Sequence, residues 1–184
     1  MSACLLTALP QAGHWISSLD VSNNAALTLL QGNNNQISNL NVIGATALEQ
    51  LWCYYNQLST LDLDSNTALS DLYCPYNQLT SLDVSHNQAL FELNCSNNQL
   101  TNLDISGNPQ LVNLNCSNNQ LTTLNLRNGN NMNFVTISCT YSIKTFGNPN
   151  LTCITVDDID WATNNWVCGT QIDNHHFFSN SCEN

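Results

Sequence analysis

The chain has 184 residues and a formal net charge of -11, with 13 acidic side chains against two basic ones, Arg127 and Lys144. That balance excludes nucleic acid and anionic membrane surfaces as partners, because phosphates are bound by exposed lysine and arginine. No apolar run is long enough to span a bilayer, so membrane insertion is not expected, and the abundant Asn, Ser, Thr and Gln suit a secreted or cell-surface protein solvated by neutral polar groups.

The opening MSACLLTALPQAGHW is too short and irregular for a signal peptide with its basic and apolar regions, so either the signal has been removed or export is not encoded here. Ser2-Ala3-Cys4 resembles the end of a bacterial lipoprotein cleavage site, which sets lipid attachment at Cys4 beside a plain capping role. A repeat then begins almost at once. Counting by a period of 21 residues puts Leu6 and Leu9 beneath Leu27 and Leu30, and Ile16, Leu19 and Val21 beneath Ile37, Leu40 and Val42.

The period is plainest around Leu93 to Asn113, LNCSNNQLTNLDISGNPQLVN, where Leu51, Leu72, Leu93 and Leu114 share one column and Cys53, Cys74, Cys95 and Cys116 another. Identical residues at fixed spacing mean one supersecondary unit stacked on copies of itself. The first half of each period matches the leucine-rich-repeat signature LxxLxLxxNxL with cysteine at the third inward position, which makes residues 93–95 a short parallel strand. The second half, LTNLDIS, alternates apolar and polar residues with period two and reads as strand or extended chain. The predicted fold class is mainly β: a flat solenoid of about seven coils over residues 1–151, parallel strands on two faces, and little helix. Its ends are irregular, as capping repeats are; Gly32 takes the cysteine position, and Arg127 to Phe134 adds two residues before Cys139.

Asn35, Asn56, Asn77, Asn98 and Asn119 form a column just after the first strand, where a stacked side chain satisfies inward backbone N–H and C=O groups alike. Asn24, Asn66, Asn87 and Asn108 are expected to do the same at the other turn. The cysteine ladder is expected to hold free, buried thiols, because in-register neighbours on parallel strands sit ~4.8 Å apart, too far for a disulfide. A linear ladder also fails to present the tetrahedron that zinc needs.

Aromatic residues break the monotony of the middle coils. Trp52, Tyr54 and Tyr73 flank the cysteine column where later coils carry Asn94 and Asn115, and Tyr55, Tyr76 and Phe91 lie close by. If the first strands form a concave sheet, these rings make one patch edged by Glu49, Gln50, Asp71 and Glu92, of the kind that stacks on sugars or anchors a protein interface. The competing reading is that Trp and Tyr merely fill sheet positions they favour. On the second strands, Asp20, Asp62, Asp83 and Asp104 form a column whose mutual repulsion would raise a pKa and imitate a glycosidase pair, or be relieved by calcium; a repetitive solvent face explains it more simply. Beside it run Ser59, Thr80, Thr101 and Thr122 with Thr60, Ser81, Asn102 and Thr123, a regular hydroxyl array that would order water against ice, although the neighbouring charge opposes this.

Residues 152–184 read as a cross-linked cap with little core of its own, in which Cys153 pairs with Cys182 while Cys168 reaches back to Cys139. Val156-Asp157-Asp158 before Ile159 and Trp161 predicts the acidic start of a short helical turn, with Trp161 and Trp166 closing the open end of the core. Asp173, His175 and His176 invite a metal reading, but adjacent histidines on an extended chain point apart, so no metal ligand is assigned. The segment FGNPNLTCITVDDIDWATNNW (Phe146 to Trp166), with NLRNGNN before it, resembles the carboxy-terminal cap of secreted leucine-rich-repeat proteins of Bacteroidetes and flavobacteria. The resemblance covers nearly the whole chain and implies a secreted or surface-displayed right-handed solenoid, related to the repeat domain attached to some endoglycosidases and more distantly to internalins, without catalytic residues.

No GxSxG, HExxH or phosphate-cradling loop is present, and no cofactor is expected. The reading is a non-catalytic extracellular recognition or adhesion module that binds a glycan or surface protein through its aromatic concave face. An ice-binding protein using the Ser/Thr/Asn face is the alternative, as is the non-catalytic repeat domain of a glycan-processing enzyme.

Overall fold

A computed structural model describes residues 2–5, 15–134, 143–166, 172–173 and 175–182. In chain order the strands are β1 (Ser2–Leu5), β2 (Ser18–Asp20), β3 (Leu27–Gln31), β4 (Asn39–Asn41), β5 (Gln50–Trp52), β6 (Asp71–Tyr73), β7 (Glu92–Asn94), β8 (Asn102–Asp104), β9 (Asn113–Asn115), β10 (Thr123–Asn125), β11 (Ile143–Lys144), β12 (Cys153–Thr155) and β13 (Phe177–Ser179), with one helix, α1 (Ile159–Asn165). Seven of them pair in the order β1-β3-β5-β6-β7-β9-β11 and make the first face of a parallel solenoid of about seven turns. The second face carries a β2-β4 pair and a four-stranded sheet ordered β13-β12-β10-β8, while residues 60–62 and 81–83 run between them without a ladder.

Register follows the sequence columns: Leu51, Leu72, Leu93 and Leu114 stand opposite one another along the first face. The middle residue of each regular strand is buried and its two neighbours are more exposed, the period-two pattern of a sheet with one face on a core. That core is a single stack in which Cys53, Cys74, Cys95 and Cys116 are fully buried free thiols between leucine rows. Burial pushes the Cys53 and Cys95 thiols up to about 12, so all but the most alkaline conditions leave them protonated and chemically quiet.

The asparagine columns differ from one another. Asn77 Nδ2 donates to the carbonyls of Cys53 and Cys74, and its Oδ1 accepts the Leu58 N–H; Asn56, Asn98 and Asn119 repeat the pattern. At the other turn Asn66, Asn87 and Asn108 also donate to two carbonyls each, but their buried Oδ1 atoms have no partner among the described residues. The second column therefore supplies donors only; the N–H groups of Asn66 and Leu69 at that turn already donate to the Leu63 and Asn66 carbonyls. Asn24, expected in that set, likewise donates to two carbonyls, those of Val21 and Ser22, but is exposed rather than buried.

The ends depart from the counted register. Cys4, not Leu9, lies opposite Leu30, so the first coil is longer than the period. At the other end Ile143 pairs with Leu114, 29 positions on rather than 21, so the interruption adds eight residues instead of two. The cysteine column consequently continues at Thr145, which is fully buried, and not at Cys139. Cys139 and Cys168 lie outside the described residues, as does the pairing expected of them.

The carboxy-terminal segment adds its strands to the second face, with Ile154 opposite Leu124 and Phe178 opposite Ile154. The Asp158 carboxylate caps α1 by accepting the Trp161 N–H at 2.9 Å. Trp166 is 3% exposed, lies edge-on to Phe134, Trp161 and Phe178, and donates its indole N–H to the Phe134 carbonyl. Cys153 and Cys182 form a disulfide. Contrary to the divergence expected of neighbours, the His175 and His176 rings converge, with centroids 4.4 Å apart, because the His176 N–H closes a turn onto the Asp173 carbonyl. Among the described residues no helix is long and apolar enough to cross a membrane.

Candidate functional site

The first face places the aromatic residues by strand position. Trp52 and Tyr73 project outward from the ends of β5 and β6, half-buried, with ring centroids 5.9 Å apart in an edge-on contact. The Tyr73 hydroxyl donates to Glu92 on the next coil, and burial together with that carboxylate drives its pKa well above the usual tyrosine range. Tyr73 is thus a fixed donor. Asp71 accepts from the Ser70 hydroxyl and from Gln50 Nε2, so the acidic edge is tied down by its neighbours. The Trp52 indole N–H is buried with no acceptor among the described residues, unusual for a donor that normally finds a partner.

Beyond the strand ends the chain makes a tight turn in which one residue per coil has a left-handed backbone. Asn34, Asn97 and Asn118 occupy it in three coils, Tyr55 and Tyr76 in the two between, with φ of 53° and 56°. Asparagine tolerates this region, whereas a bulky side chain there costs on the order of 1–2 kcal/mol. The two tyrosines are nonetheless half-exposed and stacked face to face at 4.4 Å, and Tyr54 meets Tyr55 edge-on. Two strained, solvent-facing rings in adjacent coils are not explained by sheet propensity, since neither lies in a strand.

Phe91 is exposed at the opposite margin, in the column of Glu49 and Ser70 that precedes the strands, and makes no ring contact with the others. The single patch read from the sequence is therefore three pieces: a Trp52–Tyr73 pair in the sheet, a Tyr54–Tyr55–Tyr76 group at one margin, and Phe91 at the other. The sequence also concealed Lys144. The eight-residue insertion brings it opposite Asn115, where with Tyr73, Glu92, Asn94 and Asn113 it lines a depression of about 110 Å³.

The second face carries two wider depressions, of about 310 and 380 Å³, lined by Asp20 and Asp62 in one case and Asp83 and Asp104 in the other. Their carboxylates have local work. Each accepts the N–H two residues on, from Ser22, Asp64, Ser85 and Ser106. Those bonds hold Asp20 and Asp83 below the ordinary carboxylate range, the opposite direction from a glycosidase acid. In the hydroxyl array, Thr122 turns its side chain back onto the carbonyl of Thr101 in the preceding coil.

No protein-family model matches the sequence, and comparison with curated proteins gives no significant match. Among solved structures, the functional domain of InlJ from Listeria monocytogenes, which includes a cysteine ladder, is similar with 27% identity and a TM-score of 0.56 over 79% of this chain. The fold is that of a leucine-rich-repeat solenoid. The chain spans only 39% of that InlJ structure. The leucine-rich repeat domain of APL1B is also similar, at 18% identity and a TM-score of 0.40, covering 71% of this chain and 50% of that one.

Proposed function

We propose that the chain is a non-catalytic, extracellular recognition module whose first face binds a surface protein, with residues 1–151 as the repeat array and 152–184 as its cap. The observation that carries this reading is the Tyr55–Tyr76 stack. Two coils accept a strained backbone where their neighbours use asparagine, and present aromatic rings to solvent. Backbone strain held by the surrounding fold is a recurrent mark of binding sites. Stacking weighs toward a protein ligand: rings packed at 4.4 Å and 15° each cover one face of the other, so edges, hydroxyls and at most one face per ring remain outward. A sugar ring needs an open aromatic face, whereas edges and hydroxyls suit a protein hot spot.

The test compares wild type with Tyr55→Asn/Tyr76→Asn and with Trp52→Ala/Tyr73→Ala, using immobilised surface proteins and a glycan array. Capture of a defined protein by wild type and its loss in both double variants is expected; equal binding by all three would remove the face from consideration. Glycan binding abolished by the same variants would favour the carbohydrate reading, and an ice-recrystallisation assay checks the hydroxyl face of the second strands.

A further inference from the structure

We propose that Asp173, His175 and His176 form a site for one divalent transition metal of the zinc class, in the turn that packs on the last coil. One donor atom from each residue lies within 4.8 Å of the others, and His176 Nε2 is 4.0 Å from Asp173 Oδ2. Zinc bound by imidazole nitrogen and carboxylate oxygen at about 2.0–2.2 Å brings its ligands to roughly 3.3 Å of one another. Closing the triangle takes a contraction of about 0.7 Å in the His176–Asp173 pair and of up to about 1.5 Å in the widest one.

The His176 side chain is fully covered, yet its Nε2 has no hydrogen-bond partner among the described residues. A covered imidazole nitrogen aimed at a carboxylate and a second imidazole, and bonded to neither, is a donor without an occupant. The surroundings hold the donors in place. His176 Nδ1 faces Thr145 Oγ1 at 3.5 Å, Asp173 Oδ2 accepts the Gly147 N–H at 2.9 Å, and the Phe177 N–H donates to the Thr152 carbonyl. Such outer contacts orient metal-binding histidines and carboxylates. Thr145 and Gly147 belong to the last coil and all three donors to the segment beyond it, so a bound ion fixes the turn that these contacts seat on that coil. Two imidazoles and one carboxylate suit zinc, nickel or cobalt rather than calcium or magnesium. Three protein donors leave a fourth tetrahedral position for water.

The experiment titrates Zn²⁺ into metal-stripped, disulfide-intact protein by calorimetry and follows Co²⁺ by its visible absorption. One equivalent is expected to bind, with tetrahedral cobalt bands. Loss of a covered ring disturbs packing in His176→Ala, so His175→Ala, whose ring is exposed, is the deciding variant, with Asp173→Asn beside it. Each should weaken Zn²⁺ binding by about tenfold or more at unchanged circular dichroism. His86→Ala, which removes an exposed histidine near Asp64, should leave binding intact. Absence of one-to-one binding, or binding lost in His86→Ala and kept in His175→Ala, would overturn the site.

Discussion

At the scale of single residues, the asparagine columns and the tyrosine pair make opposite predictions about stability. Asn77→Ala deletes two donors to buried carbonyls and the acceptor for the Leu58 N–H, leaving backbone groups orphaned in the core. With each buried orphan costing about 1–3 kcal/mol, the variant should lose roughly 3–5 kcal/mol in urea denaturation. Asn87→Ala gives up two donated bonds but orphans no N–H, and it removes an Oδ1 already without a partner, so its loss should be smaller by about 1–2 kcal/mol. Equal losses would mean that the two turns are not chemically different. Tyr55→Asn/Tyr76→Asn should instead raise stability: left-handed strain of about 1–2 kcal/mol per residue is relieved at two positions, against one ring stack of about 0.5–1.5 kcal/mol. A melting temperature that rises while partner capture falls identifies rings kept for binding; a fall identifies rings kept for the fold. The columns were legible in the sequence because identical side chains recur at a fixed interval. The strain was not, because turn handedness depends on φ, and Asn97 and Asn118 mark it only once the coils are stacked.

At the scale of elements, the cysteine ladder makes the first face sensitive to alkali. The unfolded chain releases thiol protons above the ordinary value of 9.0, whereas folded Cys53 and Cys95 hold theirs to about 12. Between those values the folded state binds more protons than the unfolded one, so stability falls as pH rises through that window. Melting temperatures from pH 8 to 11 should decline, and Cys53→Ala/Cys95→Ala should flatten the slope; an unchanged slope would trace the decline to other groups, Tyr73 first. The Cys153–Cys182 bridge acts at the other end. Its 29-residue separation gives roughly 3–4 kcal/mol of loop-closure stabilisation, so Cys153→Ser/Cys182→Ser should melt the last strands well before the array. The period fixed the middle strands, since Leu51 to Leu114 recur at one spacing and their partners follow. It failed at β1 and β11, where insertions shift the register and counting cannot say how many residues a loop absorbs. The histidine pair failed for a related reason: a turn closed by one backbone bond overrides the divergence of side chains in an extended strand.

At the scale of the whole molecule, each coil touches only its neighbours, so stability is close to a sum of coil and interface contributions and loss at one end need not be shared by the other. The cap is where that independence can be measured. Trp166 meets Phe134 from the insertion, Trp161 from α1 and Phe178 from β13, joining three segments that are remote in sequence. Trp166→Ala removes the ring common to all three contacts, a core truncation of about 3–5 kcal/mol. In a globular core that cost would lower protection everywhere at once. In a solenoid it should open the cap and the coil beneath it while the middle of the array stays closed. Native-state hydrogen exchange should therefore show amides of β11, β12 and α1 losing protection, those of β5, β6 and β7 keeping theirs, and β9 falling between. The Trp52–Tyr73 pair and the tyrosine stack lie on those middle coils, so partner binding should survive Trp166→Ala. Uniform loss of protection, or loss of binding with the cap, would show that the array folds as one cooperative unit and that its recognition face depends on its end.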